Sequence, residues 1–376
     1  MKRLLVAFMT VCLFFSVFAI SASADSVGKQ DREEYLVMFD GKAEKGLLNA
    51  FGVSDSEILH EYDLLPVYQL SLTKQQARGL QNHPQIKYVE ADAEVKKSQT
   101  TPYGVPQVQA TDVHQYGYFG QGVRVAVLDT GIDANHSDLN VYGGHSVFSN
   151  WPESSPYYDG DGHGTHVAGT VAALNNSIGV LGVAPSARLY AVKVLDSNGN
   201  GSYSGIAQGI EWSVNNGMDI INMSLGGSQH SSILQAYSDY AYNQGVLLVA
   251  AAGNSGNASG TGDSVNFPAK YNSVMAVAAV DWNNNRASFS STGPTVEIAA
   301  PGVNIQSTFP GNTYRSLNGT SMASPHVAGV AALLMHYQPG YTNAQVRSVL
   351  NNSAKPLGNS NHFGNGLVQA FDAFVY

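Results

Sequence analysis

The stretch VAVLDTGID, residues 125–133, is an apolar run that ends in an acid, a threonine and a glycine. Two readings compete for it. Asp-Thr-Gly is the tripeptide in which an aspartic protease carries a catalytic carboxylate. The same residues also read as a buried β-strand closed by a turn, where a serine hydrolase keeps the acid of a triad. Three residues recur by chance, so the neighbouring segments must decide. Similar apolar runs end in turns at ARLYAVKVL (187–195), MDIINMSLGG (218–227) and GVLLVAAAGNSG (245–256). Helical stretches separate them: HGTHVAGTVAAL (163–174), SGIAQGIEWSVNNG (204–217) and SSILQAYSDYAYNQG (231–245). Near-continuous apolar strands alternating with helices predict an α/β fold, with a central, mostly parallel sheet covered by helices on both faces. In such sheets ligands bind beyond the carboxyl ends of the strands. Asp129, Ser224-Leu225-Gly226 and Gly253-Asn254 all fall at predicted strand ends and are expected along one edge.

The chain of 376 residues, 44 % hydrophobic, is long enough for this domain and an accessory. Lys2 and Arg3, an apolar run from Leu4 to Ile20, and Ala22-Ser23-Ala24 make up a secretory signal peptide over 1–24. A membrane anchor is the competing reading, but no positive flank or stop-transfer pattern follows the run. The sole cysteine, Cys12, lies inside this segment, so a secreted product would have neither thiol nor disulfide. Its stability must then come from a large core or a bound metal. Charge divides the remainder: residues 25–97 hold 13 acids and 9 bases, whereas the longer 98–376 hold 15 acids and 8 bases. Residues 25–97 read as a small α+β module with strands at EYLVMF and VYQLSL and a helix capped by Thr73. That module is expected to be a propeptide, ahead of a main domain over 98–376. A net charge of −7 on the main domain, without a basic cluster, excludes nucleic-acid binding through phosphate neutralisation.

DGHGTHVAG (161–169) places His163 at a Gly-rich entry to a helix. NGTSMASPHVAGVAALL (318–334) places Ser321 at the start of another, with Pro325 in its first turn, where proline is tolerated. A serine there gains from the helix dipole, which favours negative charge developing nearby. Taken singly, each residue has an ordinary explanation: a core histidine, a helix cap. The pair His163 and His166 also suggests a metal site, but no H-E-x-x-H pattern or cysteine supports one. Together, Asp129, His163 and Ser321 follow one another in the order Asp…His…Ser, each in a Gly-bordered turn.

VAVLDTGI, GHGTHVAG and GTSMASPHVAG, with PYGVPQV near residue 102 and SLGG at Ser224, resemble the motifs of the subtilisin family of serine proteases over most of 98–376. The single D-T-G then belongs to a serine protease, since an aspartic protease needs two carboxylates sharing a proton. The resemblance implies Ser321 as nucleophile, His163 as general base and then acid, Asp129 as its orienting partner, and Asn254 as oxyanion donor. It implies substrate walls at Gly199 and Gly201 and at Ser224, Leu225 and Gly226. It further implies an S1 cleft with Ala252 and Gly253, floored by Asn266, and a preference for large apolar or aromatic P1 residues. An α/β-hydrolase esterase would need G-x-S-x-G and the order Ser…Asp…His, which this chain lacks. A catalytically dead, peptide-binding relative would normally lack a triad member, and this chain has all three.

ALNNSIGVLGVAP (173–185) interrupts a helical pattern with a tight polar loop. By resemblance it matches a calcium loop, in which Asn176 and the carbonyls of Leu174, Ile178 and Val180 join Gln99 and Asp138. Six oxygens with one carboxylate suit Ca²⁺. A second, weaker cation site is implied at Ala269, Tyr271 and Val274. Residues 25–97 resemble the family's inhibitory propeptide, cut near Lys97. The expected product is a secreted monomer acting on proteins and peptides.

Overall fold

The computed structural model describes residues 31–93 and 98–376. The signal-peptide reading of 1–24 and the cut near Lys97 lie outside the described residues. The chain divides into two compact units, Met1–Val95 and Lys96–Tyr376.

In the first unit, strands β1 (Arg32–Phe39), β2 (Ile58–Glu61), β3 (Val67–Thr73) and β4 (Ile86–Ala91) form an antiparallel sheet in the order β2-β3-β1-β4. Thr73 caps the helix Lys74–Gln81 as expected: its hydroxyl accepts from Gln76 N, and Gln76 reaches back to Thr73 N. Leu70, Leu72 and Leu80 meet Val37 and Phe39 in a small separate core.

The second unit is built on seven strands. These are β5 (Arg124–Asp129), β6 (Val141–Ser146), β7 (Arg188–Lys193), β8 (Ile220–Met223), β9 (Leu247–Ala251), β10 (Val274–Val280) and β11 (Ile298–Pro301). Their order is β11-β10-β9-β8-β5-β7-β6 and every ladder is parallel. Alternation along each strand splits the core in two. Val125, Val127, Ile220 and Val249 face the helices His163–Ala172 and Thr320–Tyr337. Ala126, Leu128, Ile221 and Leu248 face the helices Tyr203–Asn215 and Ser232–Asn243. From β5 the chain runs to β6 at the sheet edge and back to β7 on one side, then crosses to β8 on the other, so a crevice opens beyond the carboxyl ends of β5 and β8. A two-stranded antiparallel hairpin, β12 (Ile305–Phe309) and β13 (Thr313–Leu317), completes the unit.

Pro325 departs from its expected place. The helix begins at Thr320, so Pro325 is its sixth residue and cannot donate to the carbonyl of Ser321. The Ser224 hydroxyl supplies the missing donor to Ser321 O at 2.8 Å. No helix among the described residues is long and apolar enough to cross a membrane.

Candidate active site

Each candidate residue reaches the crevice from a strand end or a helix start. Asp129 is the last residue of β5 and fully buried. Its Oδ1 accepts from Thr130 N at 2.8 Å and from His163 Nδ1 at 2.7 Å. His163 is the first residue of its helix, after Gly162 at φ 95°, a conformation that favours glycine. Burial disfavours the imidazolium, but the charge and hydrogen bond of Asp129, with the charges of Asp161 and Asp159, outweigh it and raise the His163 pKa.

Ser321 is the second residue of its helix and lines one cleft with His163 and Asn254. Its hydroxyl donates to Ser224 O at 3.0 Å. Asn254 follows β9 by three residues. Its Oδ1 accepts from Thr320 N (2.9 Å) and Thr320 Oγ1 (3.0 Å), which turns Nδ2 toward the cleft. The point where a Cβ on Gly319 would sit is 3.5 Å from both Asn254 Nδ2 and Ser321 N. Two N–H donors therefore converge beside the Ser321 hydroxyl, one of them a first-turn amide that has no partner within its own helix.

A cleft of about 690 Å³ runs from His163 between two walls, Gly199–Ser202 and Ser224–Gln229. Asn266 N donates to Ala252 O at 2.9 Å, and the Asn266 side chain lies against both Gly226 and Gly253. A Cβ there would come 3.0 Å from Asn266 Cβ and 2.9 Å from Asn266 Nδ2, respectively. Gly199, Gly201, Ser224, Leu225 and Gly226 thus line one groove, and Ala252 and Gly253 adjoin it through Asn266, which meets Gly226.

The loop after the His163 helix brings together the first cation set. Gln99 Nε2 donates to the carbonyls of Leu174 (2.5 Å) and Val180 (3.1 Å). Buried Asp138 accepts from Asn176 Nδ2 and Val180 N, both at 2.8 Å, and burial raises its pKa. Asn176 Oδ1 accepts from Ile178 N at 2.7 Å. In the second set, two of the three carbonyls have partners. Tyr271 O accepts from Val274 N, and Val274 O lies 3.5 Å from Arg347 Nη2, a guanidinium paired with Glu297.

Of the two ordinary readings for His166, a core or a helix-surface histidine, the structure shows the first: it is fully buried, with Nε2 2.9 Å from Ile305 O and 3.1 Å from Arg315 O. Its Nε2 ties the His163 helix to the hairpin. The hairpin itself was unmarked, and it brings Phe309, Arg315 and Leu317 to the Ser321 side of the cleft. Asp159, which ties the Asp129 turn to the His163 helix, had no sequence signal beyond its place beside a Gly-rich motif.

An acid–imidazole pair, a serine at a helix start and two converging N–H donors on a parallel sheet define a serine hydrolase. Residues 120–366 match the profile of the subtilase family. The chain is 52 % identical over 364 residues to a thermostable alkaline protease of Halalkalibacterium halodurans, covering 96 % of each chain. It is 49 % identical over 375 residues to the M-protease of Shouchella clausii, again covering 96 % of each. Identity to subtilisin E of Bacillus subtilis is 48 % over 365 residues, 95 % of this chain and 94 % of that one. This chain belongs to the subtilase family and is a subtilisin-type serine endopeptidase.

Proposed function

We propose that the chain is made as a pre-pro-protein, is secreted, and hydrolyses peptide bonds of proteins with an Asp129–His163–Ser321 triad. The observation that carries this reading is the 2.7 Å bond from His163 Nδ1 to Asp129, in a cleft shared with Ser321 and Asn254. An unassisted hydroxyl is a poor nucleophile at neutral pH, so His163 Nε2 takes the Ser321 proton as Oγ attacks the scissile carbonyl carbon. For that transfer the hydroxyl must turn from Ser224 O to the imidazole. Asp129 holds the tautomer and stabilises the imidazolium. The oxyanion is received by Asn254 Nδ2 and Ser321 N. His163 then returns the proton to the leaving amine, and water cleaves the acyl-enzyme by the same route reversed.

Residues 199–202 and 224–227 present backbone to an extended peptide. The pocket between Gly226 and Gly253 suits large apolar or aromatic P1 side chains, and Asn266 is its floor. Residues 25–97, within the span shared with the relatives above, act as a propeptide that assists folding, blocks the cleft and is removed near Lys97. One Ca²⁺ is placed at Gln99, Asp138, Asn176 and the carbonyls of Leu174, Ile178 and Val180. Two carbonyls converging on one amide fit this set, because turning the Gln99 amide presents a third oxygen to the same point. Ala269, Tyr271 and Val274 are a poorer fit, with Arg347 already supplying a fixed positive charge.

A fluorophosphonate probe tests the triad. Label is expected on Ser321 by mass spectrometry, and none on a His163→Ala variant. Absence of label on folded protein freed of residues 25–97 would favour a catalytically dead, peptide-binding relative.

A further inference from the structure

Between the two turns that carry Asp129 and His163 stands a carboxylate with no role in the triad. Asp159 is 7 % exposed, and no basic side chain pairs with it among the described residues. Its Oδ1 accepts from Thr130 Oγ1 and Gly162 N, each at 2.8 Å. Its Oδ2 accepts from Thr165 N at 2.8 Å and Thr165 Oγ1 at 2.6 Å. Thr130 follows Asp129 in the strand-end turn, whereas Gly162 and Thr165 flank His163 at the helix start. Each threonine hydroxyl is used twice. Thr130 Oγ1 also accepts from Gly164 N (2.9 Å), and Thr165 Oγ1 from Asp133 N (2.9 Å).

An unpaired charge buried in this way is a poor source of stability, and burial raises the Asp159 pKa against its four donors. What the arrangement supplies is geometry. All four donors belong to segments that carry a triad member, and an ionised carboxylate is acceptor-only, as four converging donors require. An amide would offer one acceptor oxygen and turn an N–H₂ group toward two of them. Asp129 has little other support, since its Oδ2 is buried without a hydrogen-bond partner.

We infer that Asp159 is a positioning residue, which clamps the Asp129 turn to the start of the His163 helix and thereby sets the Asp129–His163 contact. The inference rests on the triad reading above. Its negative charge also adds to the field that favours protonated His163.

The test compares the processed enzyme with Asp159→Asn, Thr165→Val, Thr165→Ser and His163→Ala. Rates on a peptide anilide are normalised by active-site titration and followed across pH. A misplacement of about 1 Å costs on the order of 100-fold in rate, so Asp159→Asn should lower kcat by about that factor with KM nearly unchanged. The acid limb of kcat/KM should also move to lower pH. Thr165→Val should show part of the loss, and Thr165→Ser, which keeps the hydroxyl, should restore it. A kcat per active site within about twofold of the parent, with an unmoved acid limb, overturns the inference even if thermal stability falls. If Asp159→Asn yields no folded enzyme, equal kcat in the two Thr165 variants overturns it instead. Activity retained by His163→Ala would remove the triad reading itself. An inactive His163→Ala beside an unimpaired Asp159→Asn removes only the clamp.

Discussion

His163 lies among three acids that act on it differently. Asp129 bonds it directly, Asp159 acts from behind the turn, and Asp161 is an exposed neighbour in the cleft whose Oδ1 accepts from His163 N at 3.2 Å. Burial lowers the His163 pKa and these charges raise it further, so the folded value lies above 6.5. The base must be neutral to accept the Ser321 proton. Activity therefore rises with pH through that pKa, and a raised pKa places the acid limb at higher pH. Removing the Asp161 charge should move the limb down. Asp161→Asn is expected to shift the acid limb of kcat/KM to lower pH, with the high-pH plateau little changed. The shift should shrink as salt is added, because the group is exposed. A limb that stays in place at low ionic strength would show that Asp129 and Asp159 account for the field. At this scale the catalytic candidates were legible in the sequence because each occupies a Gly-bordered turn at a strand end or helix start. Asp159 was not, since no local pattern separates a buried acid from an exposed one in DGDGHGTH. The Ser224 hydroxyl was not either, as its link to Ser321 O arises only when Pro325 falls inside the helix.

The Ser321 helix is the element on which most of the site depends, and it runs through the core beside the His163 helix. The packing of other segments against these two helices relies on absent side chains. A Cβ on Gly329 would lie 2.6 Å from Val183 Cβ, and one on Gly169 would lie 2.1 Å from Thr308 Oγ1. Gly329→Ala would normally gain about 1 kcal/mol in a helix interior. Here the contact is with a branched carbon that cannot swing away, and overpacking of this kind costs about 1–3 kcal/mol. The net effect should be destabilising by on the order of 1 kcal/mol, seen as a fall of a few degrees in Tm. The measurement is thermal unfolding in a Ser321→Ala background, which removes autolysis. A rise in Tm would show that the helix has room to move. The strands that build the crevice, β5, β7, β8 and β9, read clearly as apolar runs ending in turns. β10 was not marked although VMAVAAV is wholly buried, because an Ala-rich run fits helix and strand alike. β12 and β13 escaped for the opposite reason: IQSTF and TYRSL mix polar and apolar residues, and the hairpin is held by Ser307 and Thr308 hydroxyls donating to the His166 and Thr165 carbonyls.

At the scale of the whole molecule, stability without disulfides should depend on the cation loop and on histidines kept neutral. Chelation is expected to lower the Tm of the processed, Ser321→Ala protein, and Asp138→Asn to reduce the difference between calcium and EDTA. An unchanged Tm in EDTA would remove the calcium reading. The histidines give the second dependence. Burial pushes His166 and His326 down to about 4 each; the His163 charge also lowers His166 while Asp129 opposes it, and His166 lowers His326. His326 Nδ1 is 2.8 Å from Met322 O, and its buried Nε2 has no partner, facing Gly104 so closely that a Cβ there would lie 2.2 Å away. A proton on Nε2 has nowhere to be received. Below about pH 6.5 the unfolded chain takes up a proton at each site that the folded chain refuses. Stability must then fall as pH drops from about 6.5 toward 4, by about 1.4 kcal/mol per pH unit for each histidine. Asp138 and Asp159, whose pKa values are raised by burial, work in the opposite direction as the pH falls through their folded values. A single-site comparison cancels that contribution. His326→Gln keeps a donor for Met322 O and removes the titration, so urea unfolding across this range should show a slope smaller by about one proton, whatever its stability at neutral pH. Parallel stability curves for the two proteins would mean that His326 is protonated in the fold as readily as outside it, and that the space beside Gly104 admits a partner for Nε2.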